Sequence, residues 1–494
     1  MTSTILRLSE DILSHIFIEG AKLDRLERQR VHKRSSQPLN LECQEFRDII
    51  TWVCCDWRSL ALRTTLLWAY IDLSDGPPYV RSRRFLARSG DTQPLDIDLN
   101  IDRQFMAGLL KNDYVGHTER LVEALSFIIN NGGDTVRWRS FSAKTTAAIV
   151  VDDINYCLFG EPLPNLEFLS LIDCYRSTTD YETPDGGIDR EEPYLKLFEN
   201  QPPQLRSLQL RRFDSQFLLN PIGDPIVSNI TFIDLGLVGS EPPLTGIHLL
   251  LARNPGLRTL RLNMTRVRPD FDELNYGQNL KPVSLLSLQE LSLTNPHSSL
   301  WGQQFILMIN APILHYFRLY LHYSYSTFYG MLKIFVDGRY KTLSSCRAGK
   351  TFPSLKHFST NIRSEWLEEV LCAYPALDKL TLLPRHSQNA LLLLSQRPWL
   401  VPNLKGLKIS SCPPDAHCLL QTAKARSDAQ IPLQSIEIGR LEFKSLLFEE
   451  KMGALEKISG RTSLYYPNSD EDSGSDGYDG YEWKATRSNR RNSS

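Results

Sequence analysis

The sequence predicts an α/β protein: a small N-terminal helical module, then a solenoid in which strands stack into a curved parallel sheet with outer helices. Three observations predict it. Two apolar stripes at helical spacing occupy the first 75 or so residues, a motif L-x-x-L-x-L recurs ten times between residues 166 and 438, and short helix-like runs separate its copies.

The helical module begins at Ser9, a fitting N-cap ahead of the first-turn acids Glu10 and Asp11. Ile12, Leu13, Ile16 and Phe17 then share one face at helical spacing. Ile49, Ile50, Val53, Trp57, Leu60 and Ala61 make a second stripe, and Trp68 and Leu73 close the segment within LWAYIDL. Between the stripes, from Glu19 to about Gln44, runs a long connection carrying Arg25, Arg28, Arg30, His32, Lys33 and Arg34. With no aromatic residue among these charges, it reads as a solvated helix or loop and not as a nucleic-acid or nuclear-import patch. So short a module cannot bury all its apolar residues internally, and part of the stripes should be available to a partner.

The repeats begin with two cruder units, residues 94–99 (PLDIDL) and 136–141 (VRWRSF). The clear copies are Leu166-Leu169-Leu171, Leu205-Leu208-Leu210, Leu257-Leu260-Leu262, Leu288-Leu291-Leu293, Leu377-Leu380-Leu382 and Leu404-Leu407-Ile409. Looser copies start at Ile230, Leu314, Leu355 and Leu433, and the intervals between copies run from 22 to 41 residues. The last two apolar positions alternate with a polar one, as a strand with one buried face requires. Runs such as 247–252 (IHLLLA) and 366–371 (WLEEVL) read as the intervening helices. Units of strand plus helix cannot bury their apolar faces alone, so they stack, here over about residues 78–444. On the presumed concave face, between the apolar anchors, stand Gln209, Arg261, Ser292, Arg318, Ser359, Thr381 and Lys408, with Tyr316 and Tyr320 flanking Arg318. Arginine and tyrosine are frequent interface anchors, so Arg261, Tyr316, Arg318, Tyr320 and Lys408 are candidates for holding a protein ligand, against the alternative of an ordinary solvated sheet face.

LRLSEDILSHIF, VCCDWRSLAL and LWAYIDL, in this order and spacing, resemble the F-box of fungal, basidiomycete-like F-box proteins, with Ser9 and Thr65 at two sites where the family usually has proline. The repeats, of ~20–29 residues in their usual form, resemble leucine-rich repeats. In that frame Cys174 and Cys412 fall where the repeat takes asparagine or cysteine to satisfy a turn. The resemblance implies a partner, the Skp-type linker, and through it a cullin. Carried over position by position, Leu8, Ile12, Leu13, Ile16, Phe17, Val53, Cys54, Trp57 and Leu60 are the candidates for that contact or for the packing behind it. The implied function is a substrate-recognition adaptor of a ubiquitin ligase whose solenoid binds a client protein. The alternative is a repeat scaffold that recruits no ligase.

Residues 445–464 read as a cap or linker, and the Gly/Ser/Asp-rich stretch from 465 to 494 as a disordered tail, acidic and then basic. In it Ser469 and Ser473 each have an aspartate three residues on and resemble acid-directed phosphorylation sites. The 494 residues carry 56 Lys and Arg against 57 Asp and Glu, a balance that offers no global field for a polyanion or an anionic membrane. No apolar run approaches a membrane span, and nine scattered cysteines suit a reducing cytoplasmic or nuclear compartment. Gly349-Lys350-Thr351 lacks the glycine a phosphate loop needs, since Ser344 stands in its place, and neither H-E-x-x-H nor G-x-S-x-G occurs. The expectation is a non-enzyme with no cofactor and no metal.

Overall fold

The computed structural model describes residues 8–34, 45–74, 76–101, 105, 114–145, 154, 158, 161–173, 197–219, 227–268, 280–296, 299–321, 329–337, 351–383, 387–409, 416–439, 453–459 and 461–465. Cys174, Cys412, Ser469 and Ser473 lie outside the described residues. The fold is mixed α/β with a large parallel sheet, and the chain divides into two compact units, Met1–Leu235 and Gly236–Ser494.

The first unit opens with α1 (Glu10–Arg34), α2 (Phe46–Val53), α3 (Cys55–Arg63) and a 3-10 turn (Thr65–Trp68). Ser9 caps α1 as expected: its hydroxyl accepts from the Ile12 amide at 3.4 Å and its carbonyl from the Leu13 amide at 3.0 Å. The basic connection is not a loop where it is described, because α1 continues through it to Arg34. Two features seat α2 on this long helix. A Cβ at Gly20 would run into the Phe46 ring, so glycine permits the close approach. Asp24 of α1 accepts from the Phe46 amide at 3.3 Å, satisfying an otherwise orphaned N–H at the start of α2. Phe17, Ile50, Leu60 and Trp68 are buried between the helices, and the Phe17 and Trp57 rings lie 5.0 Å apart.

The strands of this unit are β1 (Tyr70–Asp72), β2 (Leu95–Ile101), β3 (Trp138–Thr145), β4 (Phe168–Asp173), β5 (Ser207–Asp214) and β6 (Phe232–Ser240), adjacent in chain order; the division between units falls within β6. Helices α4 (Val80–Ser89), α5 (Tyr114–Asn130) and the short α6 (Gln216–Leu219) follow β1, β2 and β5. Both crude units, 94–99 and 136–141, carry strands, β2 and β3. The LWAYIDL segment, expected to close the helical module, already contains the edge strand β1, paired in parallel with β2 through Tyr70↔Asp96 and Asp72↔Asp98.

The bonds from Asp96 N to Ala69 O and from Leu73 N to Asp98 O show that odd-numbered residues of this segment face β2. The carbonyls of Tyr70 and Asp72 therefore point off the sheet. Arg47 donates to the first at 2.8 Å and Ser82 to the second at 3.0 Å. Arg47 in turn grips Glu45 at 2.6 Å, whose other oxygen accepts from Arg81 at 2.9 Å. Burial alone would raise the Glu45 carboxyl, but Arg47 and Arg81 outweigh it and hold the group below its ordinary value.

In the second unit α7 (Leu244–Arg253) leads into β7 (Thr259–Arg268), β9 (Glu290–Thr294), β11 (Tyr316–Tyr320), β12 (His357–Thr360), β13 (Lys379–Leu382), β14 (Gly406–Ile409), β15 (Ser435–Gly439) and β16 (Arg461–Tyr465), each parallel to its neighbour. A small separate pair joins β8 (Val283–Ser284) to β10 (Ile309–Asn310). Helices α8 (Ser299–Met308), α9 (Tyr329–Asp337), α10 (Ser364–Ala373), α11 (Ser387–Ser395) and α12 (Ala416–Asp428) come between the strands.

Each of the ten motif copies puts its second and third positions into a strand and buries its first in the preceding turn. The turn repeats too. Leu257, Leu314, Leu377 and Leu404 each donate their amide to the carbonyl three residues back, at 3.0 to 3.3 Å, and the residue after the leucine reaches the residue just ahead of the preceding strand where Lys356 donates to His315 and Lys405 to Asp378. Under the sheet Phe335 of α9 sits 5.0 Å from Phe317 and 5.6 Å from Phe358, with Tyr374 stacked on it at 4.9 Å. Among the described residues no helix is long and apolar enough to cross a membrane.

Arg47→Ala leaves Glu45 buried with one partner fewer and the Tyr70 carbonyl without its donor, and should destabilise the chain by about 3–5 kcal/mol. Urea unfolding of parent and variant measures it. A change below about 1 kcal/mol would show that solvent already satisfies this cluster.

Candidate interaction surfaces

The helices at the start of the chain expose an unusual amount of apolar surface. Ten of the twenty large hydrophobic side chains exposed among the described residues fall within residues 8–66. On α1, Ile12, Ile16, Leu23 and Leu26 lie within an arc of about 80° at 3.6 residues per turn. On α2, Ile49, Trp52 and Val53 share one exposed face, with Trp52 61% and Val53 55% accessible. Polar pairs hold the helices in place beside these faces: Arg63 reaches Glu10 at 3.0 Å, and Ser14 meets Thr64 at 3.3 Å.

The nine positions assigned by resemblance therefore separate into two groups. Leu8, Ile12, Ile16 and Val53 are exposed, Cys54 and Trp57 are half-buried, and Leu13, Phe17 and Leu60 are buried in the packing behind them. Sequence reasoning missed Trp52. The second apolar stripe does not include it and sets Ile49, Ile50 and Val53 on one face, whereas in α2 Ile50 turns inward and Ile49, Trp52 and Val53 turn outward. Tryptophan is common among interface anchors and is seldom left this accessible without use.

Arg25, grouped in the sequence with a solvated basic run, is docked. Its guanidinium lies 3.8 Å from the centre of the Tyr70 ring and 3.9 Å from Asp96, which also receives Arg139 at 2.7 Å. Tyr70 donates its hydroxyl to Asp98 at 2.9 Å. In the same cluster burial raises the Asp72 carboxyl to about 6; Asp98 adds to the rise, and Arg81 at 3.6 Å opposes it.

In the second unit the strand register aligns two rows on the face turned away from Phe317, Phe358 and Leu380. One row is Thr259, Glu290, Tyr316, His357, Lys379, Gly406, Ser435 and Arg461; the other is Arg261, Ser292, Arg318, Ser359, Thr381, Lys408, Glu437 and Ser463. The sequence-predicted Arg261, Arg318 and Lys408 thus share one row, with Tyr316 in the next. Tyr320 is corrected: it is only 8% exposed, because the alternation of the strand ends at Leu319 and the chain there packs against the next strand, where Asn361 exchanges two hydrogen bonds with Leu321 at 2.7 and 2.9 Å.

The rows are cross-linked. Arg261 donates twice to Glu290, at 2.8 and 3.0 Å. Tyr316 meets His357 edge-on at 4.5 Å, and His357 bonds Thr381 at 2.9 Å. Lys379 reaches over β14 to Glu437 at 3.0 Å, which Gly406 makes possible: a Cβ there would stand 3.3 Å from Lys379 Cγ and 3.2 Å from Ser435 Oγ. Burial, then Lys379, Lys408 and His315, depress the His357 base to about 3, so this imidazole is neutral at ordinary pH.

No protein-family model and no curated protein matches the chain.

A carboxyl raised from 3.8 to about 6 binds its proton more tightly in the folded state. Its stabilising contribution is present below pH 3.8 and lost as pH rises through about 6. Asp72→Asn should thus flatten the stability change between about pH 4 and pH 7. The gain over the parent at pH 7 should be about 1–2 kcal/mol, below the ~3 kcal/mol of the full shift because the side chain keeps some solvent access. Thermal unfolding at both pH values measures it, and parallel pH profiles for parent and variant would refute the assignment.

Proposed function

We propose that this chain is a substrate receptor of a Skp-cullin-F-box ubiquitin ligase, its N-terminal helices an F-box and its strand-and-helix array a leucine-rich repeat solenoid. The observation that carries the reading is the apolar surface left on α1 and α2. Leu8, Ile12, Ile16, Trp52 and Val53 lie open over a packed layer of Leu13, Phe17, Ile50 and Leu60. An apolar concentration of this kind marks a protein-interaction face. A Skp-type linker covering it would gain about 1.5–3 kcal/mol per well-buried anchor, before the cost of association.

In this reading no side chain of the receptor performs bond chemistry. The helices hold the linker and, through it, the cullin; the solenoid holds a client protein. Tethering raises the effective concentration of transferable ubiquitin near client lysines. A scaffold that recruits no ligase would share the solenoid but not the linker contact, so linker capture separates the two.

Ile16→Asp combined with Trp52→Asp places charge on two exposed positions and should abolish co-purification of a Skp-type linker. Since both side chains are exposed, the unfolding midpoint should move by less than about 1 kcal/mol. Linker recovered at parental yield with the double variant would overturn the F-box assignment.

A further inference from the structure

We propose that the partner covering the apolar face of α1 and α2 carries a carboxylate-rich segment that seats on Arg58, Arg84 and Arg88, beside Trp52. The proposal rests on the reading of that face as the linker contact, and it names the chemistry the linker must bring to one edge of it.

Three elements converge on this edge. Trp52 lies one turn beyond Asp48 on the same ridge of α2. Arg84 and Arg88, four residues apart, share one side of α4. Burial lowers the Arg88 guanidinium below its ordinary value and the neighbouring Arg84 adds to the fall, while Asp48 opposes both; the Asp48 ridge of α2 thus runs beside this end of α4. From α3, Arg58 donates its Nε to the Thr51 carbonyl at 2.7 Å, which brings its guanidinium to the residue before the tryptophan. Arg58 and Arg84 are exposed, and Arg88 is half-buried.

The charges here are not cancelled within the chain. Among the described residues none of these three arginines forms an ion pair. The contacts they make are to neutral groups, Arg58 to the Thr51 carbonyl and Arg88 to the face of the Trp68 ring at 4.5 Å. Such contacts orient a guanidinium and leave it N–H donors for a carboxylate. Asp48 is the carboxylate set against them. Asp56 lies about 200° round α3 from Arg58, and Asp91 lies by Arg137. Directly beneath, the pattern is the opposite: Arg47 and Arg81, turned into the fold, both pair with Glu45. An apolar face with a cationic edge fits a protein whose own contact surface is apolar at the centre and acidic at the rim. A nucleic acid would meet the arginines but leave Ile12, Ile16 and Val53 in water.

Biolayer interferometry of the full-length chain against an immobilised recombinant Skp-type linker tests the proposal. The parent's association rate should fall at least about tenfold between 50 and 500 mM salt. At 50 mM salt Arg84→Glu should lower that rate at least about fivefold and change the dissociation rate less than about twofold, the signature of a rim charge. Lys424→Glu, a reversal of charge at an exposed position of α12, should leave both rates within about twofold. If Arg84→Glu fails to fold, Arg88→Gln decides, with an expected loss of at least about twofold in association. Association indifferent to salt, equal loss in Lys424→Glu, or a loss confined to dissociation would overturn the proposal. Linker captured by the parent and by the folded arginine variants at the same rates overturns the proposal alone, whereas no capture by the parent at any salt overturns the linker reading with it.

Discussion

A parallel sheet has two edges, and every edge strand presents carbonyls and amides that no neighbour takes up. At β1 this constraint fixes what the first helices must be. The Tyr70 and Asp72 carbonyls point off the sheet and are met by Arg47 and Ser82, and Arg47 can stand there only because Glu45 neutralises it in a buried place. The helices are therefore not a separate bead in front of the strands. They cover the sheet edge with one face and leave Ile12, Ile16, Trp52 and Val53 open on another. Ten of the twenty large hydrophobic side chains exposed among the described residues lie in this same stretch, so edge protection and apolar exposure draw on the same helices.

The interior units were legible in the sequence because one geometric need repeats. A leucine in the turn and two more on the inward face of the strand recur as L-x-x-L-x-L, and all ten copies carry a strand. β1 and β16 were not legible. Tyr70–Asp72 and Arg461–Tyr465 lie at the ends of the array and lack the leucine pattern, since an end strand has a different neighbour to satisfy on one side. The open face was half legible: period-two alternation located Arg261, Arg318 and Lys408, but it overran at Tyr320, where the strand ends. Trp52 was missed because a stripe read as inward-facing hides an outward one: α2 buries Ile50 and turns Ile49, Trp52 and Val53 to solvent together. The Lys379–Glu437 pair was out of reach for another reason. Its partners are 58 residues apart and meet only because Gly406 lies low between them.

Two carboxylates in the edge cluster show how closely charge is balanced there. Glu45 has two guanidinium groups within 3 Å and is held below its ordinary value; Asp72 has one at 3.6 Å, with Asp98 and Glu45 as like-charged neighbours, and is raised to about 6. The signs oppose each other. The contribution of Glu45 is complete above its unfolded value of 4.5 and is lost as pH falls through its folded one, whereas that of Asp72 is lost as pH rises through about 6. The Asp72 contribution falls from pH 3.8 to about 6 while that of Glu45 is complete only above 4.5, so together the two carboxylates favour the folded state most near pH 4. Above about pH 6 Asp72 is ionised, and Arg81 bridges two charged carboxylates, Glu45 and Asp72. The helices that carry the apolar face thus meet β1 through a buried pair, Arg47 and Glu45, set behind the exposed side chains and not among them.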